Sequence, residues 1–190
     1  MNLDEKNYRA FLDGDMRGFE NLVITYKDNL IYFINRYVSD LDLAEDFAQD
    51  AFVEVFVHKE RYHLNTGFKT YLFTIGRNKA IDYIRRNKHY VIVEQILETM
   101  EGCYQPQSDS NTSMEDRIIK EEEKKLLYQM IKRLKTEYQE ALYLIDIESI
   151  SYHDAGKIMN KSSAQIKILI FRARKALAKL LVQEGYRIEK

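Results

Sequence analysis

Proline occurs once in 190 residues, tryptophan not at all, and cysteine only at Cys103. A fold rich in tight turns draws on proline and glycine, of which this chain has one and seven, whereas long helices exclude proline from their interiors. An all-α fold is therefore expected. A lone cysteine rules out an internal disulfide framework and any multi-cysteine zinc site. No apolar run approaches the length of about 20 residues that spans a bilayer, and MNLDEKNYR at the start holds no apolar core, so a cytoplasmic chain without membrane insertion is expected. The glycines form no phosphate-cradling loop, and no Ser-His or Cys-His pairing has support in the sequence. An excess of either charge is also lacking, the net charge being -1, so any positive field must be local.

Such a field stands near the C-terminal end. Every charged residue between Ala155 and Gln183 is Lys or Arg. The stretch from Ser151 to Leu177 reads as two helices about a tight turn. Ser151 is a favoured N-cap, Ala155, Ile158 and Met159 recur at helical spacing, and Asn160 suits a left-handed helix end. Ser162 or Ser163 then caps a second helix, whose Ile166, Ile170, Ala173 and Leu177 form one inward face. A short helix, a turn and a longer basic helix suit a helix-turn-helix entering duplex DNA. The alternative is an amphipathic helix with a solvated basic face.

Upstream, the apolar period predicts a short helix to about Asp13 with Tyr8, Phe11 and Leu12 inward, a stop at Gly14-Asp15, and a long helix from near Met16 to about Val38. Ser39-Asp40 caps a third helix with Ala44, Phe47, Ala48, Ala51, Phe52 and Val55 inward. A fourth follows its expected cap, Thr66, with Phe68, Tyr71, Leu72, Ile75, Ala80, Ile81 and Ile84 inward. Residues 95–113 hold the proline and a Ser/Asn/Thr cluster and read as a linker. A fifth helix (114–134), a sixth (137–146) and the helix-turn-helix follow. The expected organisation is two small helical domains, residues 1–94 and 114–190, joined by a polar linker.

Two surfaces of the first domain carry charge that needs a reason. The third helix bears acids and no base from Asp40 to Glu54, with Asp46, Asp50 and Glu54 at i, i+4, i+8, a repulsive stacking that weakens an isolated helix slightly. Di-metal sites in bundles use Glu-x-x-His, and the interval from Glu54 to His58 does not match. What remains is a solvated face or a docking surface for a basic partner. The second surface runs from Lys59 through the fourth helix and interleaves Arg61, Lys69, Arg77, Arg85 and Arg86 with aromatic residues. Cations neutralise phosphates while rings stack unpaired bases, a combination suited to single-stranded nucleic acid.

In their order, and around a polar linker, GFENLVITYKDNLIYFINRYV, LAEDFAQDAFVEVF, FKTYLFTIGRNKAIDYIRR, LKTEYQEALYLIDIESISYHDAGKIM and IKILIFRARKAL resemble the extracytoplasmic-function (ECF) sigma factors of bacterial RNA polymerase. The resemblance implies a dissociable, non-enzymatic initiation subunit, without a cofactor or metal, built from the second and fourth sigma regions. It implies that Asp46, Gln49 and Asp50 grip the clamp helices of the largest subunit of core RNA polymerase. Opening and reading of minus-ten promoter DNA would fall to Tyr62, Asn65, Lys69, Tyr71 and Asn78, with Arg77, Arg85 and Arg86 on phosphates. The minus-thirty-five duplex would be held by Ser162, Ser163, Gln165, Lys167, Ile168, Arg172 and Arg174. Gln165 can make a bidentate pair with adenine, and Ile168 can touch a thymine methyl. An anti-sigma factor is an implied inhibitor, although no residue names it.

The chain departs from the family pattern at Tyr71 and Phe73, where Trp and Tyr are more frequent, at Lys135 for proline, and at Ser149 for glycine. It departs most at Ile168 and Leu169, where small polar and basic groups are usual. Ile168 is expected to face outward because the inward face is already complete. The rival readings are a stand-alone helix-turn-helix regulator and a helical adaptor that binds only protein. The regulator leaves the acidic stripe and the loop aromatics without a use.

Overall fold

The structure, a computed structural model, describes residues 2–63, 66–87 and 126–185; the expected linker and the 114–125 part of the expected fifth helix lie outside them. All regular structure among the described residues is helical. α1 (Leu3–Leu12) starts on Asn2, whose side chain accepts the Glu5 N–H at 2.8 Å. Asp15 caps α2 (Met16–Val38) through the Arg17 N–H, and Ser39 ends it in the left-handed conformation. Asp40 caps α3 (Leu41–Val57) through the Leu43 N–H at 3.1 Å. These borders fall where expected because short polar side chains satisfy the free N–H groups of a helix start. The start of α4 (Phe68–Arg86) differs. Gly67, not Thr66, occupies the cap position, without a side-chain bond, and the Thr66 carbonyl accepts the Tyr62 hydroxyl at 2.5 Å.

α2 is the axis of the first bundle, with α1, α3 and α4 packed around it. Its Leu22, Leu30, Phe33 and Ile34 are fully buried. On α3 the inward face is small, with Ala44, Ala48 and Ala51 at zero or 1% exposure, so rings and branched side chains of the neighbours fill the core. Tyr8 anchors the far end. Its ring lies 4.6 Å from Tyr62 and 5.6 Å from Phe68, and its hydroxyl donates to the Lys59 carbonyl at 2.7 Å, tying α1 to the short 3-10 turn Lys59–Arg61.

In the C-terminal part, residues 126–132 are helical and lead into α5 (Thr136–Leu142). The helix expected to reach Asp146 instead widens into a π turn over Tyr143–Ile147. Ser149 takes φ 53°, a conformation that glycine adopts freely and serine does not. Ser151 caps α6 (Tyr152–Met159), Asn160 ends it at φ 54°, and Ser162 caps α7 (Ser163–Gln183). The Ser162 N–H donates to Gln165 Oε1 at 2.8 Å, completing a reciprocal capping box. The turn between α6 and α7 admits no extra atom at Gly156, where a Cβ would lie 2.5 Å from the Lys161 carbonyl oxygen. Ile166, Ile170 and Ala173 are buried as expected, and Leu177 packs at the edge of the same face.

The two bundles share one continuous apolar core. α5 lies on α2, and α6 lies on α4. α4 is therefore covered on two sides, which a single apolar stripe does not anticipate. Phe73, outside the expected stripe, is fully buried 5.0 Å from Phe33, while Tyr71, expected inward, is only half-buried. No described helix is long and apolar enough to cross a membrane.

Candidate nucleic-acid interface

Asp46, Gln49 and Asp50 stand exposed on successive turns of α3. Their helix is held by its buried alanine face, so the stripe is rigid. Among the described residues no cation pairs with Asp46 or Asp50, whereas Glu54, one turn on, lies 3.0 Å from Lys79 of α4. Val53 and Val57 continue the surface as exposed apolar residues. The result is a free anionic strip with an apolar end, suited to a basic and partly apolar partner.

Around the start of α4 the expected DNA contacts separate into different environments. Tyr62 is 6% exposed, and burial pushes its phenol up to about 12. Packed on Tyr8, Phe68 and Tyr71, Tyr62 is a core residue with only its edge on the neighbouring cleft, which corrects the expectation of a ring open to an unpaired base. Tyr71, 5.1 Å from it, is the ring nearer the surface. A cleft of about 380 Å³ beside it is lined by Arg61, His63, Thr66, Thr70 and, from α6, Lys157. Asn65 lies outside the described residues. Asn78, Arg85 and Arg86 are exposed along α4, with Arg85 3.1 Å from Asp82.

Lys69 and Arg77 are covered by the C-terminal bundle. Lys69 Nζ is 2.6 Å from Glu148 Oε2 and donates to the Glu148 carbonyl at 3.0 Å. Arg77 Nε donates to Glu140 Oε1 at 2.6 Å, and Glu140 is only 2% exposed. Burial opposes charge on both members of this pair. For Arg77 the neighbouring Glu140 outweighs burial and the guanidinium pKa rises; for Glu140 burial outweighs Arg77 and the carboxyl pKa rises as well. Between the two pairs sits Tyr143. Its hydroxyl donates to the Asn29 carbonyl at 2.8 Å, its ring stacks 5.8 Å from Phe33, and the Arg36 guanidinium lies 3.5 Å over its face. Glu140, Tyr143 and Glu148 were not among the expected functional residues. The one sign in the sequence is a carboxylate set in the apolar run QEALYLI.

On α7, Lys167 and Arg172 point outward without an ion-pair partner among the described residues. Arg174 is forked onto Asp146, with bonds of 3.2 and 2.5 Å that raise its pKa. Gln165 spends its carbonyl oxygen on the Ser162 N–H, so a bidentate pair with adenine requires the capping bond to break. Ile168 faces outward at 54% exposure, as expected, and Leu169 packs partly into the core. Phe171, one turn after Ile168, is 68% exposed. It was not anticipated, although its position off the 166/170/173/177 face was readable.

Two family models match the chain: Sigma-70 region 2 over residues 22–90 and Sigma-70, region 4 over residues 124–177. The ECF RNA polymerase sigma factor SigM of Bacillus subtilis is 30% identical over 155 residues, covering 82% of this chain and 90% of that protein. This chain belongs to the ECF sigma factor family. The ECF sigma factor SigW of the same organism is 29% identical over 179 residues, 93% of this chain and 96% of that one. Two solved structures share the ECF fold at lower identity. The sigma factor RpoE of Bartonella quintana, in complex with the anti-sigma factor NepR, matches with a TM-score of 0.66 at 24% identity, covering 89% of this chain and 98% of that one. CnrH, in complex with the cytosolic domain of CnrY, matches with a TM-score of 0.65 at 21% identity, covering 97% and 100%.

Proposed function

We propose that this sigma factor binds core RNA polymerase through Asp46, Gln49 and Asp50, opens minus-ten promoter DNA with α4, and holds the minus-thirty-five duplex with α7. The observation that carries the reading is the division of charge within one chain. An unpaired acidic stripe on α3 supports a basic protein partner, while α4 and α7 turn Asn78, Arg86, Lys167 and Arg172 outward, as phosphate contacts require. Within α4, Tyr71 is the ring that supports stacking of an extruded base, and Lys69, Arg77 and Arg85 supply charge. Ser162, Ser163, Gln165 and Arg174 set the register of α7, and Ile168 meets thymine methyls. The chain acts as two DNA-binding domains, 1–94 and 114–190, joined by the linker 95–113, in a cytoplasmic factor that catalyses no reaction of its own. The anti-sigma factor NepR bound to the RpoE relative supports an anti-sigma protein as its inhibitor. Co-purification with core polymerase followed by run-off transcription tests the reading. A defined start site that appears only when the chain is added supports it; duplex binding without polymerase association favours the stand-alone regulator.

A further inference from the structure

Two tyrosine hydroxyls tie down the chain between α3 and α4. Tyr8, fully buried on α1, donates to the Lys59 carbonyl at 2.7 Å, and Tyr62, 6% exposed, donates to the Thr66 carbonyl at 2.5 Å. The two bonds hold the backbone on either side of His63, which lines the cleft beside Tyr71. The rings of Tyr8 and Tyr62 pack 4.6 Å apart, and Tyr62 lies 5.1 Å from Tyr71, so both bonds and the ring proposed to stack on a base belong to one chain of contacts. Burial pushes the Tyr62 phenol up to about 12 and raises the Tyr8 phenol as well, so both remain protonated donors. α1 is itself pressed onto α2, where a Cβ on Gly18 would lie 2.1 Å from the Asn7 carbonyl oxygen. Lys59 adds a second tie to α1, its ammonium 5.6 Å over the Phe11 ring.

We propose that Tyr8 and Tyr62 are positioning residues for minus-ten reading. Their hydroxyls fix the Lys59 and Thr66 carbonyls, and with them the wall that an extruded base meets beside Tyr71. α1, which the proposed function leaves without a task, is the part of the fold that carries this support. The inference rests on the assignment of Tyr71 and its cleft to an extruded minus-ten base. Its physical reason is preorganisation: discrimination between bases needs polar groups held in place before the base arrives, whereas a wall free to shift accommodates all four. A carbonyl that loses its internal donor turns instead to water or to whichever base is present. Selectivity should therefore suffer more than binding, because Arg61 and Lys157, which line the same cleft, keep their charge.

Holoenzyme formed from the full chain and core polymerase tests this on a promoter library randomised at the minus-ten and minus-thirty-five elements. A transcribed barcode names each template used, so sequencing gives the base preference at both elements. Tyr62→Phe and Tyr8→Phe each remove one oxygen and keep the ring. Tyr26→Phe is the control, because its hydroxyl ties α2 to Asp4 of α1 at 2.5 Å without touching Lys59 or Thr66. Tyr62→Phe is expected to cut the preference for the favoured minus-ten base about fivefold, the worth of one hydrogen bond, and Tyr8→Phe to act in the same direction. The minus-thirty-five preference and the control should stay unchanged. An unaltered minus-ten preference in both variants overturns the proposal. Equal loss in Tyr26→Phe overturns it too, since the effect is then the general hold on α1, as does a parallel loss of minus-thirty-five preference. Magnetic resonance on the wild type needs no variant: both hydroxyl protons should give slowly exchanging signals, and their absence overturns the two bonds even if a variant fails to fold. If wild-type holoenzyme starts at defined sites with no minus-ten preference, the cleft assignment falls and this proposal with it; if it starts nowhere, the sigma-factor reading itself falls, and the proposal with that.

Discussion

α3 and α4 belong to one bundle and carry opposite charges in opposite states. Asp46 and Asp50 on α3 face solvent unpaired, whereas Lys69, Arg77 and Lys79 on α4 each already hold a carboxylate. A free charge is ready for a partner, and its value is realised only when the partner excludes water from it. A spent charge must first be released, so its use is conditional on a change in the fold around it. The same contrast recurs on α7, where Arg172 is free and Arg174 is engaged by Asp146. The proposed polymerase contact therefore uses charges that are free in this chain, and part of the proposed DNA contact uses charges that are not.

The largest expected effect breaks the contrast on α3. Asp50→Arg should weaken co-purification with core polymerase by about two orders of magnitude, since like charges juxtaposed at an interface cost several kcal/mol. Asp46→Arg should do less, and Glu54→Arg least, because Glu54 is already committed to Lys79. Equal losses from Asp50 and Glu54, at matched helicity, would show that freedom from an internal partner is irrelevant. On α4, Lys69→Ala with Asn78→Ala should reduce permanganate reactivity of promoter thymines about tenfold, in line with other losses of charge-assisted contacts, while closed-complex formation persists. Normal opening would confine Lys69 to the contact with Glu148.

Smaller effects sharpen the contrast on α7. Arg172→Ala should lower the salt slope of duplex binding by about one, and Arg174→Ala by less; a larger change from Arg174 in a salt titration would reverse the order proposed. Uracil in place of a single minus-thirty-five thymine deletes one methyl and should cost about 0.8 kcal/mol of binding, an effect that Ile168→Ser should abolish. Insensitivity of initiation to every such replacement would leave Ile168 and Phe171 as contacts for a protein. Smallest is Ser149→Gly, which relieves a left-handed serine and should stabilise the chain by up to about 1 kcal/mol in thermal unfolding.

Helix borders were the most legible feature, because Asp15, Asp40, Ser151, Asn160 and Ser162 act on N–H and C=O groups within a few residues of themselves. So were the inward faces of α3 and α7, since each turns a single apolar stripe toward its neighbours. The acids of α3 could be found from sequence for the same local reason, and their exposure follows from the face left over. Charge pairing could not be found in this way. Lys69 and Glu148, or Arg77 and Glu140, are far apart in the chain, and nothing in either segment's period names the other. The burial of Tyr62 was decided by the packing of α1 and α4 around it, and the second buried side of α4 and the engagement of Lys69 and Arg77 only when two bundles met. Periodicity reports the face a helix must bury to exist; which charges are then spent, and on what, is settled by the neighbour that covers the remaining face.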